Sequence, residues 1–112
     1  MNKILSLLGL ARRAGKPVLG FTATCAAMEK GRIKLVIMAE DTAANTRKKM
    51  EKNCRRHGVV FHYFANREEL GCAIGKKSQV VLGLPAHGLT DLIAELFASR
   101  DAHRAPCVSD KE

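Results

Sequence analysis

The sequence predicts an α/β fold with helices on both faces of a small four-stranded sheet. Segments whose apolar residues recur at helical spacing alternate along the chain with short aliphatic and β-branched runs. The longest such run, residues 33–39, is almost unbroken, the pattern of a central strand buried on both faces. The chain has 112 residues, 46% of them hydrophobic, which is room for one packed core. Aromatics are only 4% and Trp is absent, so that core is expected to be aliphatic. One domain over residues 1–99 and a disordered polar tail over residues 100–112 follow.

Each element has its own reason. Ile4, Leu7, Leu8 and Ala11 share one face of a first helix, with Arg12 and Arg13 turned outward and Gly15 and Pro17 stopping it. Val18 and Leu19 form a short apolar stretch. A second helix follows Gly20, with Thr22 as its expected N-cap and Gly31 at its end. After the 33–39 strand, Ala43, Met50 and Cys54 mark a thin apolar stripe on a third helix that is otherwise mostly positive, ended by Gly58. Residues 59–64 read as the next strand. Asn66 and Glu69 have capping-box spacing and open a short helix through Leu70, followed by a glycine-bearing loop over residues 71–78. Residues 79–84 are the last strand, and Leu89, Leu92, Ile93, Leu96 and Phe97 give the final helix its apolar face.

Charge narrows the function. Nineteen Lys and Arg against 11 Asp and Glu give a net +8, which favours a polyanionic partner. The asymmetry is strong: residues 1–84 hold 16 basic and 6 acidic side chains, a net of +10, while residues 85–112 hold 3 and 5, a net of −2. The polyanion is therefore expected on the first three quarters of the chain, and nucleic acid is the leading class. Cys25, Cys54, Cys72 and Cys107 are scattered and imply reduced thiols in a cytoplasmic protein. Lys3 and the apolar run to Ala11 imitate an export signal, but Arg12 and Arg13 follow at once without a cleavage site. No run approaches the roughly 18 apolar residues of a membrane span, so no membrane partner is expected.

Several patterns imitate known chemistry. Residues 71–78 imitate a phosphate-binding P-loop, but only three residues separate Gly71 from Gly75, and the segment leads from helix to strand. A turn with two glycines and two lysines still suits close approach of an RNA backbone, as it suits a plain helix-to-strand turn. In the third helix, Lys48, Lys52, Arg55 and Arg56 project together, either as a phosphate footprint or as a solvated face. Cys25 near a helix start has no His close in sequence to make a nucleophile pair, and Cys54 with His57 lacks a second pair to complete a zinc site. Glu40 and Asp41 are an acid–base pair or helix caps. An enzyme acting on a phosphorylated small molecule would rest on these two and the Gly75–Lys76 turn alone. The expectation is no catalytic residue, no metal and no cofactor.

The residues also form a familiar series. Leu8-Gly9-Leu10-Ala11, then Arg13-Ala14-Gly15-Lys16, Gly20, Leu35-Val36-Ile37, Ala39-Glu40-Asp41, Glu69-Leu70-Gly71 and Ala73-Ile74-Gly75-Lys76 together resemble the bacterial branch of the ribosomal L7Ae family, in order and at family spacing from Met1 to Phe97. The resemblance implies a three-layer α-β-α sandwich around a mixed four-stranded sheet. It also implies binding of kink-turn RNA, a duplex sharply bent at an internal bulge. The family binds through the start of the helix after Gly20 and through the loop matching residues 70–76. A helix N-terminus offers free N–H groups to phosphate, and a bent RNA exposes unstacked bases, against one of which Ile74 is expected to pack.

One departure bears on specificity. Archaeal and eukaryotic members carry Asn-Glu-Val-Thr-Lys at that helix start, where this chain has Thr22-Ala23-Thr24-Cys25-Ala26. Alanines replace the Glu that reads purines and the Lys that meets the backbone. The implied contact surface is Gly20, Thr22, Asp41, Ile74, Gly75 and Lys76, with Lys16, Lys30 and Lys34 adding electrostatic attraction. The expectation is a monomeric RNA-binding protein for a kink-turn-like ribosomal or messenger element, ribosome-associated or regulatory. The rival is a ribosome- or protein-interaction module that keeps the fold without specific kink-turn recognition.

Overall fold

Four apolar runs become strands and the amphipathic stretches between them become helices. The computed structural model describes residues 3–15 and 17–101, without the side chains of 99–101. Along the chain it runs α1 (Lys3–Arg13), β1 (Val18–Leu19), α2 (Phe21–Glu29), β2 (Leu35–Met38), α3 (Ala44–His57), β3 (Val60–Tyr63), α4 (Arg67–Ala73), β4 (Val81–Leu84) and α5 (Gly88–Asp101). Lys16 and the tail from residue 102 lie outside the described residues.

The strand order is β1-β4-β2-β3, with β1 and β2 both antiparallel to β4 and β2 parallel to β3. The sheet is therefore mixed. All four residues of β2 and of β4 are buried, as two inner strands covered on both faces must be. Side chains alternate between two cores. Leu35, Ile37, Leu82 and Leu84 meet Ile4 and Leu8 of α1, Leu70 of α4 and Ile93 and Phe97 of α5. On the opposite face Val36, Met38, Phe61 and Val81 meet Met28 of α2 and Met50 and Cys54 of α3. The three-layer α-β-α sandwich is thus formed by a two-residue alternation in the strands and a 3.6-residue period in the helices.

Register decides what lies at each end. Leu19 pairs with Leu82, and Met38 pairs with both Val81 and Tyr63. The C-terminal ends of β1, β2 and β3 and the N-terminal end of β4 therefore share one end of the sheet. α2, α3 and α4 all begin there.

Three boundaries differ from expectation. α4 continues through residues 71–73, so the glycine-bearing loop is shorter than its composition suggests; Gly75, at φ +80°, reverses the chain. The regular strands are shorter than the apolar runs, although Lys34 and Ala39 still donate backbone hydrogen bonds to Leu84 and Val80 just beyond β2. In α5, Ile93 and Phe97 are buried, whereas Leu92 is 48% exposed because a single helix face is narrower than the five-residue apolar set. No helix among the described residues is long and apolar enough to cross a membrane.

Candidate nucleic-acid interface

At the shared end of the sheet, the residue that opens α2 is Gly20, not Thr22. Gly20 has φ +97° and ψ 160°, a region essentially reserved for glycine, and its N–H donates to the Val81 carbonyl at 3.0 Å. The β1–β4 pairing thereby runs straight into the turn, and the helix starts at Phe21, leaving Thr22 exposed in its first turn. A glycine has no side chain to cap with, so α2 receives no side-chain cap. α3 starts behind Ala43, which likewise contributes none. α4 is different: Asn66 Oδ1 accepts from the Glu69 N–H at 2.8 Å, and Glu69 Oε1 accepts from the Asn66 N–H at 3.1 Å, the capping box that its spacing predicts.

The loop between α4 and β4 is pinned from below. A Cβ on Gly71 would sit 2.5 Å from Ser78 Cα and 2.6 Å from Ser78 N, so only glycine lets the returning chain pass this close to the helix. Its carbonyl accepts from the Lys76 N–H at 2.7 Å, and the Arg67 carbonyl accepts from the Gln79 N–H at 2.9 Å. Held this way, Gly75, Lys76, Lys77 and Ser78 are exposed. Neither lysine has a carboxylate at ion-pair distance among the described residues.

Asp41 belongs to this end but serves the scaffold. Its carboxylate accepts from the Arg67 backbone N–H at 3.1 Å and from Arg67 Nε at 3.2 Å, while its carbonyl accepts from the guanidinium at 2.8 Å. It fastens the β2–α3 turn to the first turn of α4, where a carboxylate also complements the helix dipole.

Ile74 requires a correction. It is 3% exposed and packs in the core with Ile4, Leu8 and Leu70, so its side chain is not offered to a base. As the C-cap of α4 it sits where the helix turns inward, and the reversal at Gly75 leaves only the glycine backbone outside. Lys30 and Lys34 are not with the others. Lys30 caps the C-terminal end of α2, about 15 Å along the helix from Gly20. Lys34 precedes β2 at the opposite end of the sheet and pairs with Asp91 at 3.2 Å. Gly20, Thr22, Asp41, Gly75 and Lys76 belong to the elements and turns at one end of the sheet; Lys16 lies outside the described residues.

Sequence reasoning did not place Arg12 and Arg13 beside the Gly75 turn. They line an open cleft of about 620 Å³ between α1 and α4, together with Gly9, Leu10, Ala73 and Gly75. Leu10 is 47% exposed there. The only sequence signal was an outward pair of arginines, and nothing local says that α1 ends beside the Gly75 turn.

The cysteine candidates do not make a nucleophile. Burial pushes the Cys25 thiol up, partly opposed by the Asn53 amide donating to Sγ at 3.2 Å, which is the wrong direction for a nucleophile. Burial pushes Cys54 to about 12. Among the described residues no three His, Cys, Asp or Glu side chains are grouped to hold a metal ion.

The described residues thus form an α/β sandwich with two uncapped helix starts and a glycine-shaped basic turn at one end of its sheet. Comparison with known proteins identifies the family. Residues 2–92 match the model of the Ribosomal protein L7Ae/L30e/S12e/Gadd45 family, and the chain belongs to that family. It is 36% identical over 91 residues to the RNA-binding protein YlxQ of Bacillus subtilis (strain 168), covering 81% of this chain and 91% of that one. It is 35% identical over 100 residues to the large ribosomal subunit protein eL30 of Branchiostoma belcheri, covering 88% of each. Among solved structures it is similar to a protein of unknown function from Bacillus halodurans C, with TM-score 0.84, 36% identity and coverage of 88% and 99%. The Giardia lamblia 15.5kD RNA binding protein, at 21% identity and TM-score 0.75 over 88% and 85% of the chains, shares the fold. The first two relatives are an RNA-binding protein and a ribosomal protein, and by family membership the chain is an RNA-binding protein and not an enzyme.

Proposed function

We infer that this protein binds structured RNA through the end of the sheet where α2 begins and the 75–78 turn projects. The observation that carries this reading is an uncapped helix start at Gly20 together with exposed lysines on the Gly75–Lys76 turn that have no carboxylate partner among the described residues. The first-turn N–H groups of α2 carry partial positive charge and point outward, so they bind phosphate without a side chain. Glycine at 20 and 75 lets a nucleic-acid backbone approach closely. Lys76 and Lys77, with Arg12 and Arg13 across the cleft, add the counterion-release component of affinity. The names of the relatives, an RNA-binding protein and a ribosomal protein, support RNA as the class of partner.

In this reading residues 1–99 act as one RNA-binding domain, monomeric and cytoplasmic, on a kink-turn-like ribosomal or messenger element. A sharply bent RNA fits a site made of two adjacent projections better than a straight duplex does. A second reading rests on Ala23 and Ala26, both exposed on α2 where base-reading and phosphate-binding side chains would stand. It is a ribosome- or protein-interaction module without specific kink-turn recognition.

Titrating a kink-turn RNA and a straight duplex of equal composition, each across a salt series, separates the two. Tighter binding of the kinked RNA at every salt concentration is expected. Equal affinities with a steep salt slope would leave only phosphate attraction and remove kink recognition.

A further inference from the structure

α3 carries six cations, Arg47, Lys48, Lys49, Lys52, Arg55 and Arg56, against one carboxylate, Glu51. Some of these have partners within the protein. Glu51 accepts a hydrogen bond from the Tyr63 hydroxyl and lies 4.0 Å from Arg55, and the Arg47 guanidinium stands 4.7 Å over the Tyr63 ring. Lys48, Lys49, Lys52 and Arg56 are exposed and have no carboxylate at ion-pair distance among the described residues.

At 100° per residue, Lys48, Lys49, Lys52, Arg55 and Arg56 fall within an arc of roughly 120°, centred opposite the direction of the buried Met50 and Cys54. Glu51 lies off that arc. The stripe spans about 12 Å of helix and contains no acid. Such an arrangement works against the helix. Lys48 with Lys52, and Lys52 with Arg56, are like-charge pairs at i,i+4, which destabilise a helix. Arg55 and Arg56 in the last turn complement the helix dipole, but Lys48 and Lys49, in the first half of a helix with no acid in its first turn, oppose it. A solvated surface helix does best with mixed signs, and an unmixed stripe gains stability when an anion lies along it.

We propose that the outward stripe of α3 is a second nucleic-acid surface, one that grips the phosphate backbone of duplex RNA without reading its bases. No aromatic residue is interleaved among the cations, as base stacking would require. Because α3 begins at the same end of the sheet as α2 and α4, RNA held at the Gly20 and Gly75 turns can continue along it. The proposal rests on the RNA-binding reading above and adds a surface to it.

The test is a variant carrying Lys48→Gln, Lys52→Gln and Arg56→Gln, compared with the unaltered protein and with Lys76→Ala on a kink-turn RNA and a straight RNA duplex across a salt series. Each lost phosphate contact removes about 0.7–0.9 from the slope of log affinity against log salt. The triple variant is expected to lose roughly 2 to 3 from that slope equally on both RNAs. Its thermal midpoint is expected to stay level or rise, since two repulsive pairs are gone. A triple variant that matches the unaltered protein while Lys76→Ala is impaired overturns the second surface alone. If the triple variant loses binding while Lys76→Ala does not, the stripe stands and the loop reading falls. If the unaltered protein binds neither RNA, both fall. A loss on vesicles of anionic lipid with RNA binding intact overturns the choice of partner.

Discussion

The two ends of the sheet are both basic, yet their backbones differ. At the end carrying Gly20 and Gly75, α2 and α3 start without a side-chain cap, and Lys76 and Lys77 have no carboxylate at ion-pair distance among the described residues. At the opposite end, α5 starts behind His87, whose Nδ1 accepts from the Leu89 N–H at 3.1 Å and whose carbonyl accepts from Asp91 at 3.0 Å. There Lys34 is neutralised by Asp91. At the first end two helix starts and two lysines lack a side-chain cap or a carboxylate partner among the described residues; at the second the start of α5 and Lys34 have theirs, while Lys30, Arg32 and Arg56 are exposed there without one. The lesson is that cation count does not locate a polyanion site in a protein of this charge. In the reading proposed above, it is located where backbone N–H groups and cations are left open on one edge.

The sharpest way to break the contrast is to lift the turn off its support. Gly71→Ala would drive a Cβ against Ser78 Cα, Ser78 N and Lys77 C at 2.5, 2.6 and 2.8 Å, all backbone atoms that cannot swing away. A loss of about 3 kcal/mol in urea denaturation is expected, at the upper end for overpacking, together with loss of RNA affinity. Gly20→Ala should cost less, about 1–2 kcal/mol, because nothing lies within 4 Å of its Cβ and only the backbone conformation at φ +97° resists. Its affinity loss should exceed what its stability loss explains, since the turn that aims the α2 N–H groups is altered. Stability and affinity both unchanged in Gly20→Ala would remove this turn from the site.

Much of this scaffold was legible in the sequence because it is encoded locally. The apolar run around Leu35–Met38 announced a doubly covered strand, and Asn66 and Glu69 announced their capping box at the spacing observed. The pieces that needed the structure are those set by distant pairing. That Gly20 outranks Thr22 as the helix start follows from its bond to Val81, far along the chain. That Asp41 is occupied follows from Arg67, and that Ile74 is inside follows from where α1 packs on α4. Lys30 and Lys34 looked equivalent to Lys76 in composition, and only the register separates them by the length of the sheet. The side of the sheet was readable from periodicity, whereas the end was not.

The smallest effect is the most discriminating. Lys34→Ala removes an exposed ion pair, 57% and 58% accessible, and should lower stability by only about 0.2–1 kcal/mol, less at high salt. Its RNA salt slope should equal that of the unaltered protein, because a lysine already held by Asp91 contributes no phosphate contact. Lys76→Ala should show the converse: unchanged stability, and a slope shallower by about 1 on every RNA tested. Equal losses of affinity in the two variants would mean that total charge governs binding and that the ends of the sheet are equivalent. A loss in Lys76→Ala alone would instead tie affinity to the edge where helix starts and unpaired cations coincide.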